Sequence, residues 1–397
     1  MSDLLWPGDE RAGDLCTDST VLAAMVAVEA AWLRTLVAHG VAPAHADDDL
    51  GKLIDPADTA DVARSAEGGG NPVIPLLKLL RERLAARNES AARWLHAGLT
   101  SQDVLDTGLA LCLRDVRERI RAELSVQIAA AVRLADEHRA TDQVGRTLTQ
   151  HAVPVTFGLK AAGWLTGLLD ARDQLDATPA LPARLGGAAG SLAAPVVLAG
   201  SPRGALSLVA ATAGTLGLDP PTGRMPFARL GDAFVTCTDT WGQVANDVLL
   251  GARPEIGELG EPADAGRGGS SAMPQKQNPV LSVLIRRAAL TGPPLAAILH
   301  AAAAARVDER PDGGWHAEWF ALRALARHTA TAASQASELL SGLHVHPDRM
   351  AATLAAARPG IDAEHRKIAG LAHSDPTGPY RGAADLIIDA AIARAQS

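Results

Sequence analysis

The stretch Gly108-Leu-Ala-Leu-Cys-Leu-Arg-Asp-Val-Arg-Glu-Arg-Ile-Arg-Ala-Glu-Leu-Ser-Val-Gln-Ile-Ala-Ala-Ala-Val-Arg-Leu-Ala-Asp-Glu-His138 carries apolar side chains at Leu109, Leu113, Val116, Ile120, Leu124, Ile128 and Val132. Steps of three and four residues place them on one face of an α-helix, and neither Gly nor Pro follows Gly108 to interrupt it. Such a helix far exceeds the average of about 11–12 residues, and rods of this length pack along one another in a bundle. Upstream, Leu22, Met25, Val26, Trp32, Leu33 and Leu36 repeat the pattern between Asp18 and His39, with Ser19 or Asp18 as cap and Gly40 as stop. Downstream it recurs at 153–175, 231–252, 279–290, 294–306 and 316–341, whereas alternating strand patterns are nearly absent. The fold class expected is all-α, with a central bundle of long helices.

The chain has 397 residues, 47% of them hydrophobic and 21% charged, enough to bury a large core and too apolar for disorder. At roughly 150 residues per domain this is two or three domains. Alanine-rich helices with 3% aromatic residues present narrow apolar faces, which implies a homo-oligomer. A net charge of -8 argues against nucleic acid and against an anionic membrane surface as partners. Cys16, Cys112 and Cys237 are far apart in sequence, without CxxC spacing, so neither a disulfide framework nor a zinc site is signalled, and no metal or other cofactor is expected. The N-terminal MSDLLWPGDERAGD has acids where an export signal needs a basic and then an apolar run. Gly186-Gly187 and Gly292-Pro293-Pro294 break the two longest uncharged stretches, so neither reads as a membrane span. These features fit a reducing, cytoplasmic compartment.

Three segments carry the chemistry. In Gly266-Arg-Gly-Gly-Ser-Ser-Ala-Met-Pro-Gln-Lys-Gln-Asn-Pro279, glycines at 266, 268 and 269 let the backbone turn and present N–H groups to an anion. Ser270 and Ser271 add hydroxyls, Lys276 a cation, and Asn278 an amide just before a helix opened by Pro279. In the second segment, His96 to Thr107, Thr100, Ser101 and Gln102 set three donors at the mouth of the long helix, where free N–H groups favour a carboxylate. Capping alone explains one hydroxyl, and a solitary His96 is more often structural. The third, Gly145 to Gly158, places Arg146, Thr147 and Gln150 ahead of a helix. Arg146 suits a bidentate carboxylate, although an arginine there is more often ion-paired at the surface.

With these residues the chain resembles the fumarase/aspartase (argininosuccinate lyase) superfamily, whose GSSxMPxKxNP signature is matched from Gly269 to Pro279, its TS-x-D segment from Thr100 to Asp103 and its GRTxxQ segment from Gly145 to Gln150. The resemblance implies an all-α subunit of three domains, here 1–103, 104–342 and a shortened 343–397. It also implies a homotetramer whose active sites draw on loops from several subunits, and a small-molecule substrate. Ser270, His96 and Lys276 take catalytic positions. Thr100, Ser101, Gln102, Arg146, Thr147, Gln150, Ser271, Met273 and Asn278 take substrate-binding ones. By the resemblance, Ser270 moves a proton at the carbon beside a carboxylate, and Lys276 and Asn278 hold that carboxylate as it becomes an aci-carboxylate. A serine is a weak base, so the loop must supply N–H groups that stabilise its alkoxide.

The departures narrow the reaction. Superfamily members that expel an amine or hydroxide place a histidine where this chain has Leu148 and a bracing glutamate where it has Val283. Either residue alone would be an unpartnered polar group in a buried site, so their joint loss is coherent. A carboxylate, with a reference pKa near about 4, leaves or adds without an acid. The segments Asp308 to Trp319, Gly70 to Leu76 and Val153 to Gly158 look like those of the group that cyclises 3-carboxy-cis,cis-muconate, with Trp315 and Trp319 as core at i,i+4 spacing. The first expectation is therefore cycloisomerisation of that tricarboxylate. The alternatives are loss of a weakly basic group from a succinate skeleton, such as nitrite from nitrosuccinate, then adenylosuccinate cleavage, then an inactive helical scaffold.

Overall fold

In the computed structural model, which describes residues 4–220, 226–262, 264, 266–374 and 380–397, helices dominate. Met1 to Asp3 of the N-terminal stretch read above lie outside the described residues. The order is α1 (Asp18–Ala38), α2 (Asp58–Ser65), α3 (Val73–Ala85), α4 (Glu89–Trp94), α5 (Ser101–Glu137), β1 (Asp142–Thr147), β2 (Gln150–Thr156) and α6 (Phe157–Ala177). Then come α7 (Ala193–Ala199), α8 (Pro202–Leu216), α9 (Pro226–Gly251), β3 (Leu259–Gly260), α10 (Val280–Ala304), α11 (Gly313–Ser341), β4 (His344–Val345), α12 (Pro347–Ala372) and α13 (Ala384–Gln396).

The period-3.6 stripes become the core. In α5, a helix of 37 residues, Leu109, Leu113, Val116, Ile120, Leu124 and Ile128 are all buried. Helix α1 is capped by Thr17, whose Oγ1 accepts from the Thr20 N–H at 3.2 Å, rather than by Ser19 or Asp18. By length and composition α1 is also the one unbroken described helix long and apolar enough to cross a membrane, and 56% of that window is buried inside the protein. Cys16, Cys112 and Cys237 are buried free thiols.

Two local expectations are corrected. The segment from Gly145 to Gly158 is mostly an antiparallel hairpin, with Gln143 opposite Val155, Arg146 opposite His151 and Thr147 opposite Gln150. The helix expected from 153 starts only at Phe157, because the preceding residues belong to β2. The helices expected at 279–290 and 294–306 are one, α10, which runs through Pro293 and Pro294. Their missing N–H groups leave two carbonyls of the preceding turn without a helical partner, and packing of the flanking apolar turns outweighs that loss.

The fold gathers into two units, neither continuous in sequence. One comprises Met1–Glu118, Thr178–Gly231 and Leu295–Arg327, the other Arg119–Ala177, Asp232–Pro294 and His328–Ser397. In the first unit α1 packs on α8, and the fork of Arg327 holds Asp9 at 2.6 and 3.0 Å. In the second, α13 packs on α6 and α12 on β1. Val144, Leu354 and Ile361 form a small core there against Tyr380, beside a bidentate Arg381–Asp142 pair at 2.6 and 2.7 Å. The C-terminal segment thus braces the hairpin.

Buried amide bonds tie the second unit together. Gln127, fully buried on α5, accepts from Trp241 Nε1 on α9 at 2.6 Å and donates to the Ala333 carbonyl of α11 at 2.9 Å and to Ser337 Oγ at 3.2 Å. Replacement by alanine leaves the indole N–H unpaired, so Gln127→Ala should destabilise the protein by about 2–4 kcal/mol in chemical denaturation. A loss below about 0.5 kcal/mol would show that these bonds do not hold the helices in register.

Candidate active site

The mouth of α5 is organised by one carboxylate. Asp103, third residue of the helix and fully buried, accepts the Thr100 N–H at 3.2 Å in the manner of half a capping box. It also accepts the N–H groups of Gly186 and Gly187 at 3.0 and 2.8 Å and Arg310 Nη2 at 2.8 Å. Thr100 and Ser101 stay half-buried at the helix entrance. Gln102 does not: its side chain is buried and donates to Asp106 Oδ2 at 3.1 Å, which corrects its expected place among the donors at the mouth. Asp106 also accepts Trp315 Nε1 at 2.7 Å. Burial pushes its carboxyl above the usual range, opposed by Arg184 and by these bonds. Through Arg310 and Trp315 the Asp308–Trp319 stretch supports the start of α5, while Glu318 pairs with Arg306 at 2.8 Å.

His96 sits just ahead in left-handed backbone (φ 63), with Nδ1 2.6 Å from Glu29 Oε1 of α1. Sequence reasoning passed over Glu29, although it falls on the apolar stripe of that helix.

In the second unit, Arg146 on β1 is already engaged. Its Nη1 and Nη2 donate to Glu258 at 2.9 and 2.7 Å, and Glu258 is only 2% exposed. The two lie on the wall of a cavity of about 380 Å³, with Gln143, Lys160, Trp164 and Asp247 among the other lining residues. Ser270 and Lys276 are not in that wall. Thr147 and Gln150 are exposed at the hairpin end. The turn between them, Leu148 and Thr149, has φ 48 and 70, the geometry of a two-residue type I′ turn normally filled by Asn-Gly. Within one chain Leu148 is 96% exposed and Val283 51%.

The signature loop closes on itself around its serine. Ser270 Oγ accepts the backbone N–H groups of Met273 at 3.1 Å and Ala272 at 3.3 Å. These are two donors converging on the oxygen that would carry the alkoxide charge. The Asn278 N–H and Nδ2 both donate to the Gly268 carbonyl, at 2.8 and 3.0 Å. Gly268 has φ +73, and a Cβ there would meet the Asn278 carbonyl at 2.6 Å, so only glycine permits this closure. Ser271, Met273 and Lys276 are exposed. Glu261 accepts the N–H groups of Leu281 and Ser282 at 3.0 and 2.6 Å, capping α10 and fixing the loop's far end. Among the described residues no group of three or more His, Cys, Asp or Glu side chains could hold a metal ion.

Compared with known proteins, residues 54–292 match the profile of a family described as lyase. The chain belongs to this lyase family. It is 46% identical over 348 residues to a nitrosuccinate lyase of Streptomyces davaonensis, covering 85% of this chain and 73% of that protein. It is 37% identical over 393 residues to a 3-carboxy-cis,cis-muconate cycloisomerase of Bradyrhizobium diazoefficiens, covering 96% of this chain and 84% of that one. The crystal structure of the 3-carboxy-cis,cis-muconate lactonizing enzyme from Pseudomonas putida superposes with a TM-score of 0.87 at 30% identity, covering 97% and 96% of the two chains. The fumarase/aspartase resemblance and the all-α fold are therefore established for this member of the family.

Of the two buried carboxylates at the α5 mouth, Asp103 accepts from a cation and from three backbone N–H groups, whereas the donors bonded to Asp106 among the described residues are the neutral Gln102 and Trp315. Asp103→Asn should therefore cost about 3–5 kcal/mol of stability by leaving Arg310 without its carboxylate, and Asp106→Asn about 1 kcal/mol or less. Because the folded Asp106 carboxyl is raised, its contribution is greatest below the unfolded carboxylate range and is lost as pH rises through the folded value. Denaturation curves against pH should be flatter for Asp106→Asn than for wild type; equal costs for the two variants would contradict the assignment.

Proposed function

We propose that this lyase removes nitrite from nitrosuccinate, with Ser270 as the base. The observation that carries the reading is the Ser270 oxygen held by two backbone N–H groups in a chain with Leu148 and Val283 in place of a leaving-group acid. The alkoxide takes a proton from the carbon beside one carboxylate. The electron pair passes into that carboxylate, held by Lys276 and the second N–H of the Asn278 side-chain amide, then returns to form the C=C bond. Nitrite departs from the neighbouring carbon with the C–N electron pair, needing no proton, and leaves a butenedioate. Thr100, Ser101 and the N–H groups opening α5 suit the second carboxylate.

The sequence alone put lactone closure first, but that substrate carries three carboxylates. With the Arg146 fork taken by Glu258 and Gln102 turned toward Asp106, two of the expected holders are engaged elsewhere. Two carboxylates fit the remainder better, in accord with the higher identity to the nitrosuccinate enzyme. Cycloisomerisation stays as the second reading, on the strength of the lactonizing relatives. Assembly into a homotetramer with sites shared between subunits, the three-domain division and a cytoplasmic setting belong to the same proposal.

Purified protein given nitrosuccinate should release nitrite, and Ser270→Ala should lower kcat by about 10²–10⁴-fold, the range of acid–base catalysis. An unchanged rate in Ser270→Ala would defeat the mechanism. Bleaching of 3-carboxy-cis,cis-muconate absorbance without nitrite release would transfer the assignment to the second reading.

A further inference from the structure

Helix α1 turns Leu22, Met25, Val26, Trp32, Leu33 and Leu36 into the core, and Glu29 lies on the same stripe. A carboxylate in that position is unfavourable unless a partner compensates it. Glu29 is 0% exposed, its Oε2 bonds nothing among the described residues, and its Oε1 lies 2.6 Å from Nδ1 of His96. Three neighbouring features hold the ring in place. His96 itself adopts φ 63, Trp32 Nε1 donates to the Ala97 carbonyl at 2.8 Å, and Gly98 turns the chain at φ +83. The imidazole keeps 14% exposure, and Nε2 bonds no group among the described residues.

A carboxylate that accepts at Nδ1 fixes both the orientation of an imidazole and its tautomer, because the proton on Nδ1 leaves Nε2 as the atom offered outward. Four and five residues on stand Thr100 and Ser101, with the open N–H groups of α5.

We propose that Glu29 is a positioning residue for His96, holding Nδ1–H toward the core so that Nε2 is presented to the dicarboxylate beside Thr100 and Ser101. The buried charge on the apolar stripe then has a purpose: it sets which nitrogen the substrate meets. This rests on reading the α5 mouth as part of the substrate site. The Glu29 half is independent of the substrate's identity.

Two measurements test it. Long-range proton–nitrogen spectra of protein labelled at its 12 histidines, with the His96 signals identified by their loss in His96→Asn, should show Nδ1 protonated in wild type. In Glu29→Gln, whose amide donates as well as accepts, that preference should be lost. Kinetically, Glu29→Gln should reduce kcat about tenfold or more, Glu29→Asp should retain more of the rate than Glu29→Gln, and Glu29→Gln should add nothing in a His96→Asn background. An unchanged His96 tautomer in Glu29→Gln, or an undiminished Glu29→Gln effect in the double variant, would overturn the proposal. The spectra decide it even if nitrosuccinate is not the substrate.

Discussion

Two backbone N–H groups, those of Ala272 and Met273, point at the Ser270 hydroxyl oxygen, and the chemistry assigned to the chain turns on them. A serine with an ordinary hydroxyl does not take protons from carbon. An oxygen met by fixed donors at the moment its charge appears has part of that charge stabilised before reaction begins. The donors are in place because the loop is closed by both Asn278 nitrogens on the Gly268 carbonyl and anchored by Glu261 at the start of α10. One glycine without room for a side chain is therefore a condition of the loop closure on which the proposed mechanism rests.

The scaffold follows the same rule. Asp103 draws the start of α5, the Gly186-Gly187 turn and Arg310 to one point, so that Thr100 and Ser101 open toward solvent instead of fraying. Gln127 does the corresponding work inside the second unit. In both cases a buried polar group has nearly all its bonding capacity used, the condition under which such groups specify one arrangement instead of weakening the core. Leu148 and Thr149 show the opposite behaviour. A bulky and a β-branched residue in left-handed backbone at an exposed tip are locally unfavourable, and an observed outlier of this kind points to a functional constraint.

Much of this was legible in the sequence, for identifiable reasons. The stripe from Leu109 to Ile128 announced α5 because a 3.6-residue period needs no tertiary information to be seen. The signature loop was legible because its composition, dense in small donors, has few other uses. The hairpin was not, since two strands of six and seven residues with polar ends show too little alternation. The unbroken α10 was hidden by Pro293 and Pro294, where packing overrides a local breaker. Gln102 read as a donor at the mouth because spacing does not reveal on which side of a helix entrance an amide is used. Glu29 stood visibly on an apolar stripe, but its partner is 67 residues away, and a pairing of that span is a property of the fold alone. The pairing of Arg146 with Glu258 was hidden for the same reason.

The central claim is that the pocket moves a proton at an acidic carbon and never protonates what leaves. Its direct test is leaving-group selectivity on one carbon skeleton: turnover of nitrosuccinate, malate and aspartate compared at equal concentration with the same preparation. The account predicts nitrite release from the first and no detectable butenedioate from the other two, whose hydroxide and ammonia must be protonated to depart. Butenedioate formed from malate or aspartate at a rate comparable to that from nitrosuccinate would contradict it.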